Sequence, residues 1–206
     1  MEKMERRVIR TDFEVRQLDD GKTTVIEGYA LKFGKLSEDL GGMDEILQRG
    51  CLDGADMSNV VALINHNADY PLARSTVPDG VGHLDLSVDD VGLKFSLTPT
   101  DTGYARDLMT NMAAGVINQC SFAFTLADGG ADWAYESETD MYHRTIKHIA
   151  RLWDVSIVTT PAYPDTEAQA VQRSLQSERD KFLSRGMAEN DAIKKRKIEI
   201  ELTLLS

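Results

Sequence analysis

Apolar and polar residues alternate with period two through most of residues 1–160, the pattern of strands that bury one face. It is clearest in "HLDLSVDDVGLKFSL", where Leu84, Leu86 and Val88 are followed by Val91, Leu93, Phe95 and Leu97. That stretch predicts a β-hairpin turning over Asp89 to Gly92. The same reading predicts strands over Val8–Arg16, Thr23–Phe33, Asn59–Asn65, Val116–Leu126, Tyr142–Ile149 and Leu152–Thr159. About seven strands with short connections point to a mainly β chain with helices (α+β), its strands forming a closed or nearly closed antiparallel barrel.

Two segments depart from this period. "DTGYARDLMTNMAAG" opens on the capping types Asp101 and Thr102, carries Tyr104, Leu108 and Met112 at helical spacing and ends at Gly115, so one helix fits there. After "PAYPD", residues 166–185 place Ala168, Val171, Leu175 and Phe182 on one side with no Pro or Gly before Gly186, which predicts a long amphipathic helix. Beyond it, "KKRK" and "IEIELTLL" fit strand, helix or extension equally. The expected organisation is a β-barrel domain over 1–164 and a helical tail over 165–206.

Composition narrows the function classes. Hydrophobic residues make up 42% and charged residues 28% of the 206, as in a globular domain with a packed core. The net charge of −11 argues against a nucleic-acid partner, because neutralising phosphates takes clustered Lys and Arg. Residues 165–206 hold eight acidic and eight basic side chains, so the whole excess lies in 1–164. Cys51 and Cys120 are too few for a metal cluster or a disulfide framework, and no metal or cofactor is expected. No apolar run reaches the ~18 residues of a membrane span, and "MEKMERRVIR" has none behind its charges, so neither membrane insertion nor export is expected.

Three residue types able to support acyl transfer stand near strand positions. In "NQCSFAFTL", alternation sends Phe122, Phe124 and Leu126 one way with Cys120, and Gln119, Ser121 and Ala123 the other, so Ser121 turns away from the aromatic face. In "RLWDVSIV", Trp153, Val155 and Ile157 form one face and Leu152, Asp154, Ser156 and Val158 the other. A carboxylate there is costly without a partner. The apolar run from Val60 ends in "NHN", setting His66 at a strand mouth. A hydroxyl attacks only when a base takes its proton, and a carboxylate best orients that base. Such a trio alone is weak, since any chain of this length holds Ser, His and Asp.

Longer motifs add to it. "IEGYALKFGKLSEDLGGMDEILQRGCL", "VALINHN" with "PLARS", "DTGYARDLMTNMAAGVINQCSFAF" and "RTIKHIARLWDVSIVTTPAYPDT" follow one another over about residues 25–166. In this order they resemble the tailed-phage prohead (capsid maturation) serine proteases, a family similar in fold to the herpesvirus assemblins. The resemblance implies a herpesvirus-protease-like β-barrel and a serine endopeptidase that cleaves scaffold segments of the major capsid protein, and itself, inside the assembling prohead in the host cytoplasm. It implies Ser121 as nucleophile, His66 as general base and Asp154 as the residue orienting His66. Asp154 stands where the family usually has Glu and the assemblins have His; Ala123 stands where the family usually has Gly. A backbone amide near Ser121 would form part of the oxyanion hole, with Arg74 as a helper or, on the plainer reading, a surface residue. Analogy with assemblins adds a homodimer.

Plainer readings compete. Ser121 as a satisfied strand serine is the stronger reading without the resemblance. Asp154 as an ion-pair partner of Arg151 or Arg144 needs no catalysis. Cys120, on the Phe face, reads as a small core residue, though a hydrolase using Cys120 and His66 is a rival. His83 and His143 read as structural, and His148 is the reserve third member. The tail helix either packs on the barrel or docks on scaffold, capsid or a second copy, with Ser184–Asn190 as the expected self-cleavage loop. The rival from another class is a non-enzymatic assembly or scaffold factor with a protease-like fold.

Overall fold

The computed structural model of the chain describes residues 4–11, 13–18, 23–159 and 175–185. The strands are β1 (Met4–Arg10), β2 (Glu14–Gln17), β3 (Thr24–Lys32), β4 (Met43–Leu47), β5 (Val61–Ile64), β6 (Asn67–Arg74), β7 (Leu84–Val88), β8 (Gly92–Leu97), β9 (Gln119–Leu126), β10 (Ala131–Glu136), β11 (Met141–Ile146) and β12 (Ile149–Val158). Helix α1 (Gly103–Ala113) lies between β8 and β9, and α2 covers residues 175–185. The chain is mainly β with two helices among the described residues. None of these helices is long and apolar enough to cross a membrane.

The hairpin and first helix form as their sequence patterns predict. Strands β7 and β8 pair antiparallel from Leu84↔Leu97 to Val88↔Leu93, and Asp89 Oδ1 accepts the amides of Val91 and Gly92 in the turn. In α1 the Thr102 hydroxyl caps the first turn by accepting the Ala105 amide, and Ala105, Leu108 and Met112 are buried.

Among the described residues no closed barrel is found, and the expected closed or nearly closed antiparallel barrel of about seven strands is not confirmed. The strands make three sheets, in the orders β1-β9-β12-β5-β6, β2-β3-β8-β7 and β10-β11-β4. Two pairings, β12 with β5 and β11 with β4, are parallel. Alternation reports which face of a strand is buried but nothing about the direction of its neighbour, so it could not reveal either. The expected strand Val8–Arg16 is broken at Thr11, whose amide donates to the Asn118 carbonyl and whose hydroxyl accepts the Tyr29 amide. Beyond that corner Phe13 packs edge-on against Phe95, and the chain enters a different sheet. Of the expected tail helix, 175–185 is helical and 166–174 lies outside the described residues. Leu175 packs on Met43 and Tyr142, so this helix does rest on the three-stranded sheet.

A buried ion quartet ties the first strand to that sheet. Arg7 bonds both carboxylate oxygens of Glu45 and one of Glu5, each at 2.8 Å, while Arg144 reaches Glu5 at 2.6 and 2.8 Å and Glu45 at 2.9 Å. Arg144 is therefore committed here, 5.2 Å over the Trp133 ring, and does not pair with Asp154. Burial alone pushes the Glu5 carboxyl up; the hydrogen bond and charge of Arg144, then those of Arg7, outweigh it and hold Glu5 down at about 2. Removing one partner from such a cluster strands a buried charge. Arg144→Met is expected to lower the unfolding free energy by ~3–5 kcal/mol at pH 7. Because Glu5 titrates below its ordinary 4.5 in the folded chain, its stabilisation is complete above that value and is lost as pH falls toward 2. The gap between wild type and variant should therefore shrink on acidification below pH 4.5; urea titrations at several pH values that show a constant gap would go against this.

Candidate active site

Strand β9 lies second in the five-stranded sheet, flanked by the edge strand β1 and by the central strand β12. Cys120, Phe122 and Phe124 enter the apolar core, as their alternation predicts, and Ser121 takes the opposite face. Ser121 is directly across from Ser156 on β12, and Ala123 is directly across from Asp154. That register already sets the serine and the carboxylate on one face, two residues apart along the strands.

A bulge puts the acid there. Pairing slips between Leu152 and Asp154, so Leu152 opposes Phe124 in the apolar core while Asp154 opposes Ala123 on the other side. The expected shared face of Leu152 and Asp154 is thus broken by the extra residue Trp153, since a bulge re-aims whatever follows it. Arg151 stacks 3.9 Å over the Trp153 ring and lies 3.5 Å from Asp56, so it is not the partner of Asp154 either.

His66 arrives from the next strands over. β5 and β6 form a hairpin closed by Ile64↔Asn67, leaving Asn65 and His66 as its two turn residues, with φ of 52° and 54°. Positive φ at both positions is the type I′ arrangement, which suits Asn but favours Gly over His at the second place. The left-handed conformation costs a non-glycine residue about 1–2 kcal/mol. Asn65 helps to hold the turn, its Oδ1 accepting the Thr159 amide and its own amide donating to the Ile157 carbonyl. Strain of this kind persists where surrounding bonds over-determine it.

The turn swings the imidazole between the two strand side chains. Asp154 Oδ1 is 2.6 Å from His66 Nδ1, and His66 Nε2 is 2.5 Å from Ser121 Oγ. Asp154, one methylene shorter than the usual Glu, reaches the ring without difficulty. A carboxylate so close to Nδ1 assigns the proton to that nitrogen and leaves Nε2 to accept from the serine hydroxyl. Ser156 was not singled out from sequence, yet its Oγ donates to Asp154 Oδ1 at 2.8 Å and accepts the His66 backbone amide at 3.2 Å. The only signal for it was its position two residues after Asp154, on the same face.

The site is enclosed. Ser121 and Ser156 are 0% exposed, and the side chains of His66 and Asp154 are 3% and 10% exposed. Turning away from the aromatic face did not bring Ser121 to solvent. Enclosure strengthens each hydrogen bond by lowering the local dielectric.

Other expected participants stand elsewhere. His148 is exposed in the turn between β11 and β12, where Ile149 pairs with Leu126, roughly 16 Å along β9 from Ser121 at ~3.3 Å per residue. His143 pairs with Asp44, and His83 Nδ1 donates to the Val77 carbonyl. Arg74, the last residue of β6 and two strands away from β12, bonds Asn59. Both edges of β9 are paired, to β1 and β12, and the slip between Leu152 and Asp154 lies opposite Phe124 and Ala123, close to Ser121. Gln119, two residues before Ser121 on the same face, keeps its Oε1 buried with no hydrogen-bond partner. The Cys120 thiol is raised by burial and by the nearby Asp154 charge, and it lies in the core. No group of three or more His, Cys, Asp or Glu able to hold a metal ion occurs among the described residues.

Comparison with known proteins agrees with the motifs. No curated protein and no solved structure matches the chain. A family model described as the caudovirus prohead serine protease matches residues 11–181, a span that contains every residue of the site. The chain belongs to the caudovirus prohead serine protease family, serine peptidases of capsid maturation that act inside the assembling prohead.

Proposed function

We propose that this protease cleaves peptide bonds with Ser121 as nucleophile, His66 as general base and Asp154 as the residue that orients His66. The observation that carries the reading is the unbroken line from Asp154 Oδ1 through both imidazole nitrogens to Ser121 Oγ, with contacts of 2.6 and 2.5 Å. Geometry of this kind lets His66 Nε2 take the serine proton as Oγ attacks the scissile carbonyl, and return it to the leaving amine. Asp154 meanwhile stabilises the imidazolium. Gln119 lies two residues before Ser121 on the same face of β9, and its unpartnered buried Oε1 is available to accept a substrate amide proton.

The substrate is the scaffold segment of the major capsid protein, and the chain also trims itself. Enclosure of Ser121 makes the described conformation a closed one, with cleavage following an opening of the site. Residues 1–164 form the protease domain and 165–206 a tail that docks or is removed. Of the expected cut segment, Ser184 and Arg185 are helical, and 186–190 lie outside the described residues. Analogy with the assemblins supports a homodimer.

The test is co-expression with the capsid protein, reading processed bands and the mass of the chain itself. Wild type and Cys120→Ala are expected to yield the same products, because a buried, protonated thiol on the other face has no access to His66 Nε2. Absence of processing in wild type would favour a binding-only assembly factor, and loss in Cys120→Ala would favour the thiol.

A further inference from the structure

We propose that Ser156 is a positioning residue of this site, holding the carboxylate and the backbone of the base in one hydrogen-bonded unit. The inference rests on the assignment of Ser121, His66 and Asp154 given above. Ser156 follows Asp154 by two residues on β12, so both side chains share a face, and it stands directly across from Ser121. It is completely buried.

A hydroxyl has one proton and two lone pairs, which limits how it can be used here. Three groups lie near Ser156 Oγ: Asp154 Oδ1 at 2.8 Å, the His66 amide nitrogen at 3.2 Å and His66 Nδ1 at 3.2 Å. The Nδ1 proton is taken by Asp154 Oδ1, which is nearer at 2.6 Å. The Ser156 proton therefore goes to Asp154, and its lone pair receives the His66 amide proton. One arrangement satisfies every donor: Ser121 to Nε2, Nδ1 to Asp154, Ser156 to Asp154, and the His66 amide to Ser156. The opposite imidazole tautomer would set a bare Nδ1 against a carboxylate and break it.

Two consequences follow for the base. The amide that Ser156 accepts belongs to the left-handed residue of the hairpin turn, so the bond opposes relaxation of a strained φ. The proton that Ser156 donates fixes the Asp154 carboxylate in the orientation that meets Nδ1. Loss of the hydroxyl frees both ends of the ring's support at once. Displacement of a reacting group by about 1 Å costs on the order of a hundredfold in rate.

The experiment uses the full chain and a fluorophosphonate, which labels an activated serine without needing the capsid substrate. The rate of Ser121 labelling per folded molecule is measured for wild type, Ser156→Ala and Ser156→Thr, with the folded fraction taken from unfolding curves of the same samples. Ser156→Ala is expected to label roughly tenfold to a hundredfold more slowly and to lose the downfield proton resonance of His66 Nδ1–H, and Ser156→Thr to recover most of both. In peptide cleavage the loss should fall on kcat and leave KM unchanged. An Ala variant that labels at the wild-type rate per folded molecule, even with a lowered unfolding midpoint, would overturn the positioning role. Wild type that processes the capsid protein yet fails to label at Ser121 would instead overturn the assignment of the nucleophile on which the role rests.

Discussion

Ser121→Ala is expected to abolish cleavage of the capsid protein while leaving the chain folded. Removing the nucleophile of a triad lowers kcat by roughly a millionfold, because the remaining groups then have nothing to activate. No neighbour can take over. The Ser156 hydroxyl lies 3.2 Å from Nδ1, the wrong nitrogen, and its proton is held by Asp154. The Cys120 thiol faces the core on the other side of β9, kept protonated by burial. The structural cost is small by comparison. One buried oxygen is deleted and His66 Nε2 loses its partner, which costs about 1–3 kcal/mol against a total stability of about 5–15. Co-expression should therefore give soluble protein, intact capsid protein and no fluorophosphonate label. Processing by Ser121→Ala at the wild-type rate would remove Ser121 from the chemistry.

How much of this was legible in the sequence depends on which physical signal each element carries. The β7–β8 hairpin and α1 announce themselves through local period and capping, because their partners are adjacent in sequence or internal to the element. Strands β4 and β10 are short, at five and six residues, and β6 carries Pro71 with mostly exposed residues, so none of the three stands out in the sequence as an apolar alternation. Sheet order and the two parallel pairings depend on contacts between distant segments, which alternation does not report. The ion quartet was equally unreadable: its bonds join residues 38, 99 and 139 positions apart. Ser121, His66 and Asp154 were singled out through ordered motifs, whereas alternation alone gave only the face of Ser121. Ser156 shared the face of Asp154 in the alternation, but its reach to the His66 amide exists only because "INHN" folds into a two-residue turn.

Asp154→Asn is expected to lower kcat by about ten-thousandfold, with the protein folded and KM little changed. Asparagine can still fill the space, but it carries no charge to stabilise the imidazolium. Its amide can also donate to Nδ1, which pushes the ring proton to Nε2 and removes the acceptor Ser121 needs. The acid's length is a separate question, and the register speaks to it. Asp154 is directly across from Ala123, and these are the two positions at which the chain departs from the usual Glu and Gly of the family it resembles. A methylene absent at 154 is matched by a methyl present at 123, and both residues are buried. Asp154→Glu should then be crowded, losing roughly tenfold to a hundredfold as the carboxylate is pushed out of line. Ala123→Gly in the same chain should restore much of that loss, while Ala123→Gly alone should not raise the rate. A double-mutant cycle on kcat measures the coupling directly, and additive effects of the two substitutions would show that the pair does not share one volume.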